Sequence, residues 1–509
     1  MAGGRDAPGA IGDQLHEFMR SGELILDEAA RDLLSGDLFF TGRPAAAILR
    51  PRTVDALRRA LALAAPHGWA IVPRGGGMSY SAGFVTARDD VLLVDTRAFD
   101  GIGPVDRARM RITVQAGCTW AALQAHLAPL GLRTCFWGTA SGLHATIGGT
   151  MAQEAVLFGS GRHGTAGDTL VALHLVTVDG ALIEVPSPDF PDLTPFVGDC
   201  GALGIKTQLV LPLEAVPPET GFACMRFASR AAALAALASV ARARIASEAF
   251  LFDRRASDQR RTGQPDESWI EPVPGQRYRA GAAFELHAAF EGRDAAEIDA
   301  SRKRFAALGA AHAGEEDGQG VLPYLRADPF APPHMLVARD GRRWVPVHFM
   351  VRHAALPGLL AAIDACMTGH AADIARHDIA WGWSVLPVGT EDVLLEPSLY
   401  WADAHPPQVR AVLPPEFLLR HPAHAEDGAA RAAVAALRRA MIEAARPHGA
   451  RHMQLGRAYP PEANCCGWSV DEMRMLRHRL DPHGRMNPGV LGPGRAHPRG
   501  SVRSVRSTW

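Results

Sequence analysis

The stretch VPRGGGMSYSAGF, residues 72–84, decides how the rest of the chain is interpreted. Three consecutive glycines follow an apolar run, and glycine, which has no Cβ atom, lets backbone N–H groups converge on a ligand and approach it closely. Phosphate is the usual ligand of such a loop, and Arg74 adds a cation that suits a pyrophosphate. A Gly-Gly-Gly run is also common in surface turns, and this one matches neither G-x-x-x-x-G-K-[ST] nor G-x-G-x-x-G, so its context must decide.

Three further motifs follow in order along the chain. They are WGTASGLHATIGGTMAQEAVLFGSGRHGTAGD at 137–168, DCGALGIKTQLVLPL at 199–213 and MNPGVLG at 486–492. Together with the first glycine loop they resemble the motifs of the vanillyl-alcohol oxidase and para-cresol methylhydroxylase (PCMH) superfamily of flavoproteins. The resemblance extends over residues 45–495.

The resemblance implies an α+β fold, with a PCMH-type FAD-binding domain of two subdomains and an inserted α+β cap domain. Five segments are expected in chain order: an N-terminal helical segment at 1–44, the FAD-binding domain at 45–215, the cap or substrate domain at 216–445, a C-terminal segment that returns to the flavin at 446–495, and a disordered tail at 496–509.

Local patterns predict several elements without help from the resemblance. A helix is expected at 53–65, because Thr53 can cap it and Leu57 and Leu61 lie on one face. The pair Asp179-Gly180 predicts a hairpin turn. After residue 222 the chain becomes rich in alanine and arginine, a pattern that predicts amphipathic helices. Strands are expected in the same region near 344–352 and 393–401.

Composition excludes some classes of partner. Of the 509 residues, 47% are apolar and 21% are charged, and a formal net charge of -1 gives no reason to expect a nucleic acid, so a small molecule is the expected partner. The seven cysteines are odd in number and show no C-x-x-C spacing, which favours a reducing compartment. With neither a signal-peptide pattern nor a long apolar run, the sequence predicts a cytoplasmic protein without a membrane span.

The cofactor residues are carried over from the family by position. The first loop would wrap the pyrophosphate, the second would contact the phosphates and the ribityl chain, Ile205 would offer backbone atoms to the flavin or adenine, and Asn487 would lie near the isoalloxazine. The expected cofactor-binding residues are Arg74, Gly75, Gly76, Gly77, Met78, Ser79, Thr139, Ser141, Thr146, Gly148, Gly149, Ile205 and Asn487.

The attachment of the flavin is expected to be noncovalent. Many members of the superfamily carry a histidine bonded to the flavin where this chain has Met78, and others attach the flavin through a cap-domain strand at a position that aligns with Leu394. His144 and His163 lie in the second loop and could substitute, although histidines there more often bond to backbone or phosphate. Members that oxidise D-2-hydroxy acids commonly have an H-x-H pair and a G-D-G-N-x-H run. Neither occurs here, so no metal is expected.

Substrate-site candidates come from the resemblance and from buried polar positions. Tyr80 aligns with a tyrosine that holds the substrate phenolate in the phenol-oxidising branch, and Arg451 and His452 align near that branch's Tyr-Arg pair. Arg451 could anchor a carboxylate, and His452 could act as a general base. Glu396 interrupts an apolar strand, which is costly unless it is paired or functional. The expected catalytic residues are Tyr80, Glu396, Arg451, His452 and Gln454, with His348 a weaker candidate, and a strand over 449–460 would place His452 and Gln454 on one face.

These residues predict an FAD-linked oxidase or dehydrogenase that acts on CH–OH donors. Its substrate would be either an aromatic alcohol or phenol, or a 2-hydroxy acid, and the hydride would pass to flavin N5. The electron acceptor, oxygen or a redox partner, is left open, and the family makes a homodimer plausible. Two other functions stay open: a non-catalytic binding subunit with the same fold, and a flavin-dependent C=C reductase.

Overall fold

The computed structural model describes residues 12–253, 284–330, 336–338 and 340–492. It contains three β-sheets with helices packed against them, which confirms the expected α+β fold. The tail predicted to be disordered lies outside the described residues. The α-helices of eight or more residues are Glu28–Ser35, Val54–Ala64, Trp120–Leu127, Arg230–Ala243, Ala295–Ala310, Leu356–Gly369, Gly428–Ala445 and Val470–Leu480. The shorter α-helices are His16–Arg20, Ile147–Gln153, Ser160–His163, Leu322–Ala327, Ala371–Arg376, Pro407–Val412 and Pro415–Arg420.

The first sheet has four strands in the order β1-β2-β4-β3. Strands β2, β3 and β4 run parallel, and β1 is antiparallel to β2. Parallel strands need a crossover connection, and the helix Val54–Ala64 supplies it between β2 and β3, which pair with opposite sides of β4. Apolar residues cover both faces of the sheet. Its strands are β1 Leu24–Ile25, β2 Ala47–Leu49, β3 Ala70–Arg74 and β4 Val91–Asp95.

The crossover helix follows the sequence signals closely. The Thr53 side chain accepts a hydrogen bond from the Ala56 N–H at 3.1 Å, which satisfies one of the donors left free at a helix start. Leu57 and Leu61 are fully buried on its inner face. The helix passes into a short turn that ends at Gly68, whose φ of 68° suits glycine. The prediction of a helix at 53–65 is therefore confirmed to within a residue at each end.

The second sheet is antiparallel, with the order β5-β6-β10-β8-β9 and with β7 paired to the end of β10. The hairpin between β8 and β9 turns at Gly180, which has a φ of 89°, as the Asp-Gly pair predicted. The strands are β5 Ile102–Asp106, β6 Arg111–Gln115, β7 Leu132–Thr134, β8 Ala172–Val176, β9 Leu182–Val185 and β10 Ile205–Ala215.

The third sheet has eight strands in the order β14-β11-β13-β12-β17-β18-β15, with β16 also paired to β18. The predicted strand at 344–352 is in fact two strands, β15 and β16, separated by Val347 and His348. The large hydrophobic core joins this sheet to the second one. The strands are β11 Glu219–Phe227, β12 Glu248–Asp253, β13 Phe284–Gly292, β14 Glu315–Glu316, β15 Arg343–Pro346, β16 Phe349–Arg352, β17 Ala380–Val388 and β18 Asp392–Trp401.

The C-terminal part of the chain returns to the first sheet. Met486 forms a parallel bridge with Ile71 on β3. The Ile71 N–H donates to the Arg485 carbonyl at 2.9 Å, and the Asn487 N–H donates to the Ile71 carbonyl at 2.7 Å. Strand β3 thus has β4 on one side and the returning segment on the other, immediately before the first glycine loop begins.

Candidate FAD site and adjoining polar cluster

A cleft that is partly open to solvent lies where the two glycine-rich loops meet the start of β10. Twelve of the thirteen predicted cofactor residues line it, together with one predicted catalytic residue. They are Arg74, Gly75, Gly76, Gly77, Met78, Ser79, Thr139, Ser141, Thr146, Gly148, Gly149, Ile205 and, from the catalytic set, Gln454.

The glycines allow the two loops to pack against each other. A Cβ on Gly76 would lie 1.8 Å from the carbonyl oxygen of His144, and a Cβ on Gly75 would lie 2.3 Å from the Thr146 hydroxyl. Both distances are far below a normal contact, so these positions exclude any other residue without a shift of the loops. The glycines are therefore needed for contact between the two loops as well as for the close approach of a ligand.

The first loop has unpaired hydrogen-bond donors at the cleft. The N–H groups of Gly76, Gly77 and Met78 donate to no acceptor within the part of the chain that the structure describes. Consecutive free N–H groups in a loop form an anion-binding concavity. The backbone of the loop therefore fits a phosphate group.

Arg74 adds a buried positive charge beside these donors. Its side chain is 7% exposed, and Nη1 donates to the Gly75 carbonyl at 3.0 Å, while Nε has no partner among the described residues. Burial lowers the pKa of Arg74 to about 10, against the opposing effect of Asp95, so the guanidinium stays charged at neutral pH. A buried cation with a free donor favours an anion nearby. These residues fit the pyrophosphate of FAD.

A cluster of polar side chains adjoins the cleft. Tyr80 follows the cleft-lining Met78 and Ser79, and its ring packs edge-on against Trp344 at 5.3 Å. Glu396 on β18 contributes to raising the pKa of the Tyr80 phenol, after burial, which is the larger cause. The Nε2 atom of His348 lies 3.2 Å from Glu396 Oε2. The phenol of Tyr80 therefore stays neutral beside a histidine–carboxylate pair.

The second histidine of the cluster is held in one tautomer. His452 Nδ1 lies 2.9 Å from the His348 carbonyl, and because a carbonyl oxygen can only accept, Nδ1 carries the proton and Nε2 keeps a lone pair. Burial lowers the pKa of His452 to about 4. The ring also stacks on Tyr459 at 4.6 Å, and the Tyr459 hydroxyl accepts from the His348 N–H at 3.1 Å. His452 is therefore neutral at physiological pH.

The structure places two predicted site residues elsewhere. Arg451 does not line the cleft: its Nη2 donates to Asp392 at 2.7 Å, and its backbone pairs with Met350 in both directions. Asn487 is fully buried and saturated, because its amide donates to the carbonyls of Gly83 and Cys200, each at 2.7 Å, and its oxygen accepts from Arg457. Asn487 thus bonds to two residues that line the cleft, Gly83 and Cys200. Its place near the isoalloxazine and the role of Arg451 as substrate anchor stay predictions.

Residues 449–460 do not form the strand that would place His452 and Gln454 on one face. Residues 451 and 452 form only isolated bridges, and Gln454 has a φ of 52°, so side-chain alternation does not apply. The Gln454 N–H donates to the Gln153 carbonyl at 2.7 Å, which turns residue 454 toward the cleft, while His452 stays in the cluster.

The three positions considered for covalent attachment of the flavin besides Met78 all have contacts within the protein. The Nε2 atom of His144 lies 3.2 Å from the Val412 carbonyl, and His163 faces Glu214 at 3.3 Å, so neither ring lines the cleft. Leu394 is buried among apolar side chains.

Sequence reasoning missed two members of the cluster. Tyr459 lies in the stretch GRAYP and shows no periodicity, and Arg438 lies on the helix Gly428–Ala445 among alternating alanines and arginines. Arg438 is 3% exposed, donates from Nη2 to the Tyr80 carbonyl at 3.0 Å and lies 4.6 Å from the Phe39 ring centre. A buried arginine on an alanine-rich helix has the same local sequence as an exposed one, so only the tertiary structure identifies it.

Comparison with known proteins agrees with this site. A family model described as "FAD binding domain" matches residues 45–186. D-lactate dehydrogenase [cytochrome] 1, mitochondrial, of Saccharomyces cerevisiae is 28% identical over 188 residues, which cover 35% of this chain and 32% of that protein. The chain thus matches about a third of the length of this relative.

Solved structures extend the likeness to nearly the whole chain. p-Cresol methylhydroxylase with substrate bound aligns with a TM-score of 0.70 at 12% identity, covering 96% of both chains. 4-Ethylphenol oxidase from Gulosibacter chungangensis aligns with a TM-score of 0.69 at 13% identity, covering 97% of this chain and 99% of that one. At these identities the likeness shows the fold. Residues 45–186 thus match an FAD-binding domain, FAD is the cofactor that this domain supports, and the chain as a whole has the fold of p-cresol methylhydroxylase.

Proposed function

We propose that this protein is an FAD-dependent oxidoreductase that takes a hydride from the carbinol carbon of a hydroxylated small molecule, with an aromatic alcohol as the favoured substrate class. The observation that carries the proposal is the His348–Glu396 pair, at 3.2 Å, in the cluster that includes Tyr80, the residue directly after the cleft-lining Ser79. Loss of a hydride from an alcohol also releases the hydroxyl proton, so the protein needs an acceptor for that proton close to the flavin.

Each member of the cluster has a distinct role in the proposal. Bound FAD supplies an oxidised ring system that accepts a hydride. Glu396 takes the substrate proton, and His348, whose Nε2 donates to the carboxylate, fixes its orientation. Tyr80, kept neutral because burial raises its pKa, donates a hydrogen bond to the substrate oxygen. His452 Nε2 offers a second, neutral acceptor.

The charge of the cluster favours a neutral substrate. A carboxylate on the substrate would be repelled by Glu396 in this buried setting, since charges interact strongly where the dielectric is low. Aromatic rings at Tyr80, Trp344 and Tyr459 suit a flat apolar body. The phenol oxidised by 4-ethylphenol oxidase, as its name states, has this shape.

A 2-hydroxy acid is the second candidate, and Arg438 is the observation in its favour. The Arg438 Nε atom has no partner among the described residues, and its guanidinium lies beside the Tyr80 carbonyl. A bidentate arginine is the usual anchor for a substrate carboxylate. The name of the yeast D-lactate dehydrogenase gives the same substrate class.

The test is an anaerobic visible spectrum during additions from a panel of aromatic alcohols and D- and L-2-hydroxy acids. Bleaching of the flavin band by an aromatic alcohol supports the favoured proposal, and bleaching by a hydroxy acid alone selects the second. If no alcohol bleaches the flavin, the proposal is wrong. Reoxidation of chemically reduced flavin by an α,β-unsaturated carbonyl compound would then identify a C=C reductase.

Reoxidation in air after bleaching separates an oxidase from a dehydrogenase. Rapid return of the flavin band with oxygen alone identifies an oxidase. Slow return that an artificial one-electron acceptor accelerates identifies a dehydrogenase with a separate redox partner.

A further inference from the structure

Three potential metal ligands meet outside the FAD cleft. Cys135 follows strand β7, His163 ends the helix Ser160–His163, and Glu214 lies near the end of strand β10. The ligating atoms of the three residues all lie within 4.8 Å of one another. None of the three lines the cleft that fits FAD. We propose that they bind a divalent transition-metal ion of the zinc class.

The separation of two of the atoms is that of ligands on one ion. His163 Nε2 lies 3.3 Å from Glu214 Oε2. The Nε2 atom is buried and makes no aligned hydrogen bond within the described residues, although the two atoms face each other. Zinc binds nitrogen and oxygen at about 2.0–2.2 Å in a tetrahedron, which places two such ligands roughly 3.3–3.5 Å apart. His163 Nε2 and Glu214 Oε2 therefore have the spacing of two ligands of one zinc ion, without the alignment of a hydrogen bond.

The carboxylate is held ready to bind with one oxygen. Arg133 Nε donates to Glu214 Oε1 at 2.8 Å, which leaves Oε2 free to face His163. A hydrogen-bonded partner that orients a ligand is a regular feature of metal sites.

The arginines near these ligands are balanced by glutamates. Arg133 pairs with the fully buried Glu291, through Nη1 at 2.5 Å and Nη2 at 2.7 Å, and Arg162 and Arg326 pair with the same carboxylate. Since Arg133 also pairs with Glu214 and Arg326 with Glu248, three arginines face three carboxylates. Binding would convert the Cys135 thiol to a thiolate, which adds a further negative charge. Because the ligand is the thiolate, metal binding must release the thiol proton and must weaken as the pH falls.

The ion would fasten the start of the second cofactor loop. Cys135 lies four residues before Thr139 of the cleft. Between them Trp137 stacks on Phe158 at 4.3 Å. A metal ion that joins Cys135 to Glu214 on β10 and to His163 at the end of the helix Ser160–His163 would therefore hold both ends of the loop segment against the second sheet.

The test uses the FAD-loaded protein after dialysis against a chelator, titrated with zinc chloride and, separately, cobalt chloride. We expect one equivalent of zinc to bind, and we expect cobalt to give a thiolate charge-transfer band with the ligand-field bands of a tetrahedral site. Cys135→Ser, His163→Gln and Glu214→Gln should each weaken zinc binding by at least about 100-fold, because even partners of ligands cost 10–100-fold.

Two matched variants control for nonspecific binding. Cys366→Ser removes another partly buried thiol, and His174→Gln removes a histidine that faces a glutamate, Glu184, at 3.8 Å. Both should keep the wild-type zinc affinity. The flavin spectrum and the melting temperature of each variant show whether it is folded.

The proposal is overturned if the wild-type protein binds no zinc, or if zinc binds equally to folded forms of all three ligand variants. If a ligand variant fails to fold, the cobalt spectrum of the wild-type protein decides, and a spectrum without a thiolate band overturns the site. These readouts do not involve substrate oxidation, so they stand or fall independently of the proposed activity.

Discussion

Replacing Gly76 with alanine should separate the two loops that line the FAD cleft. The added Cβ would lie 1.8 Å from the His144 carbonyl oxygen and 2.7 Å from its carbonyl carbon, whereas ordinary contact begins near 3.4 Å. Because both atoms belong to the backbone, no side-chain rotation can relieve the overlap, and one loop must move by roughly 1.6 Å. The carbonyl belongs to the second cofactor loop, so the shift acts directly on the cleft.

The size of the effect follows from the hydrogen bonds that such a shift breaks. A displacement of this size takes an N–H···O contact of ordinary length out of hydrogen-bond range. Loss of two bonds to a charged phosphate, at about 1.5–3 kcal/mol each, costs about 3–6 kcal/mol of binding free energy. Since about 1.4 kcal/mol corresponds to tenfold, FAD affinity should fall by roughly 10² to 10⁴.

The assay is titration of FAD into the apoprotein, followed by quenching of flavin fluorescence. Gly369→Ala is the matched control, because a Cβ at Gly369 meets nothing within 4 Å and the residue ends a surface helix. It should bind FAD as the wild-type protein does. Circular dichroism separates loss of the cofactor from loss of the fold. A folded Gly76→Ala protein that binds FAD within about threefold of wild type would refute the loop-contact argument.

Three further predictions concern the flavin, the cluster and a buried carboxyl. Acid precipitation should release the flavin into the supernatant, because Met78 stands where many members of the superfamily carry the histidine that bonds covalently to the flavin. Glu396→Gln should slow anaerobic flavin reduction by about 10²- to 10⁴-fold, while the melting temperature hardly changes. The control is Glu184→Gln, at an exposed histidine–carboxylate pair, which should reduce its flavin at the wild-type rate. Burial raises the pKa of Glu154 to about 8 from an ordinary 4.5, so its stabilising contribution is full below pH 4.5 and is lost as the pH rises through 8. The melting temperature of Glu154→Gln should therefore rise relative to wild type between pH 5 and 8.

Each of these has a result that contradicts it. Flavin colour in the acid pellet would mean a covalent bond. Equal reduction rates for Glu396→Gln and wild type would return Glu396 to a structural role in its pair with His348. A melting-temperature difference that is the same at pH 5 and pH 8 would show that Glu154 is not the group that titrates.

The elements that sequence could predict are those fixed by neighbours in the chain. Thr53 caps its helix through an N–H three residues away, and Gly180 turns a hairpin within a four-residue span, so the signals are local. The cofactor loops could be predicted through the family resemblance of four ordered motifs, since the first glycine run alone matches no nucleotide-binding fingerprint.

Sequence could not predict the contacts that depend on residues far apart in the chain. Arg451 donates to Asp392, 59 positions earlier in the chain, which no local pattern indicates. Asn487 bonds to carbonyls 404 and 287 positions away. Arg438 is buried by contacts with Tyr80 and Phe39 that its alanine-rich surroundings do not reveal. A sequence motif can give the type of a side chain but not the partner that uses it.

The bridge between Ile71 and Met486 has a consequence for biosynthesis. Strand β3 leaves the ribosome early, but its neighbour on one side is encoded about 400 residues later. At about 5–20 residues per second, translation takes on the order of 20–80 seconds to supply that segment. Until then the Ile71 backbone lacks the hydrogen bonds to Arg485 and Asn487 that complete the strand before the first glycine loop. The backbone that leads into the first glycine loop is therefore translated early but completes its hydrogen bonds only after the C-terminal segment has been made.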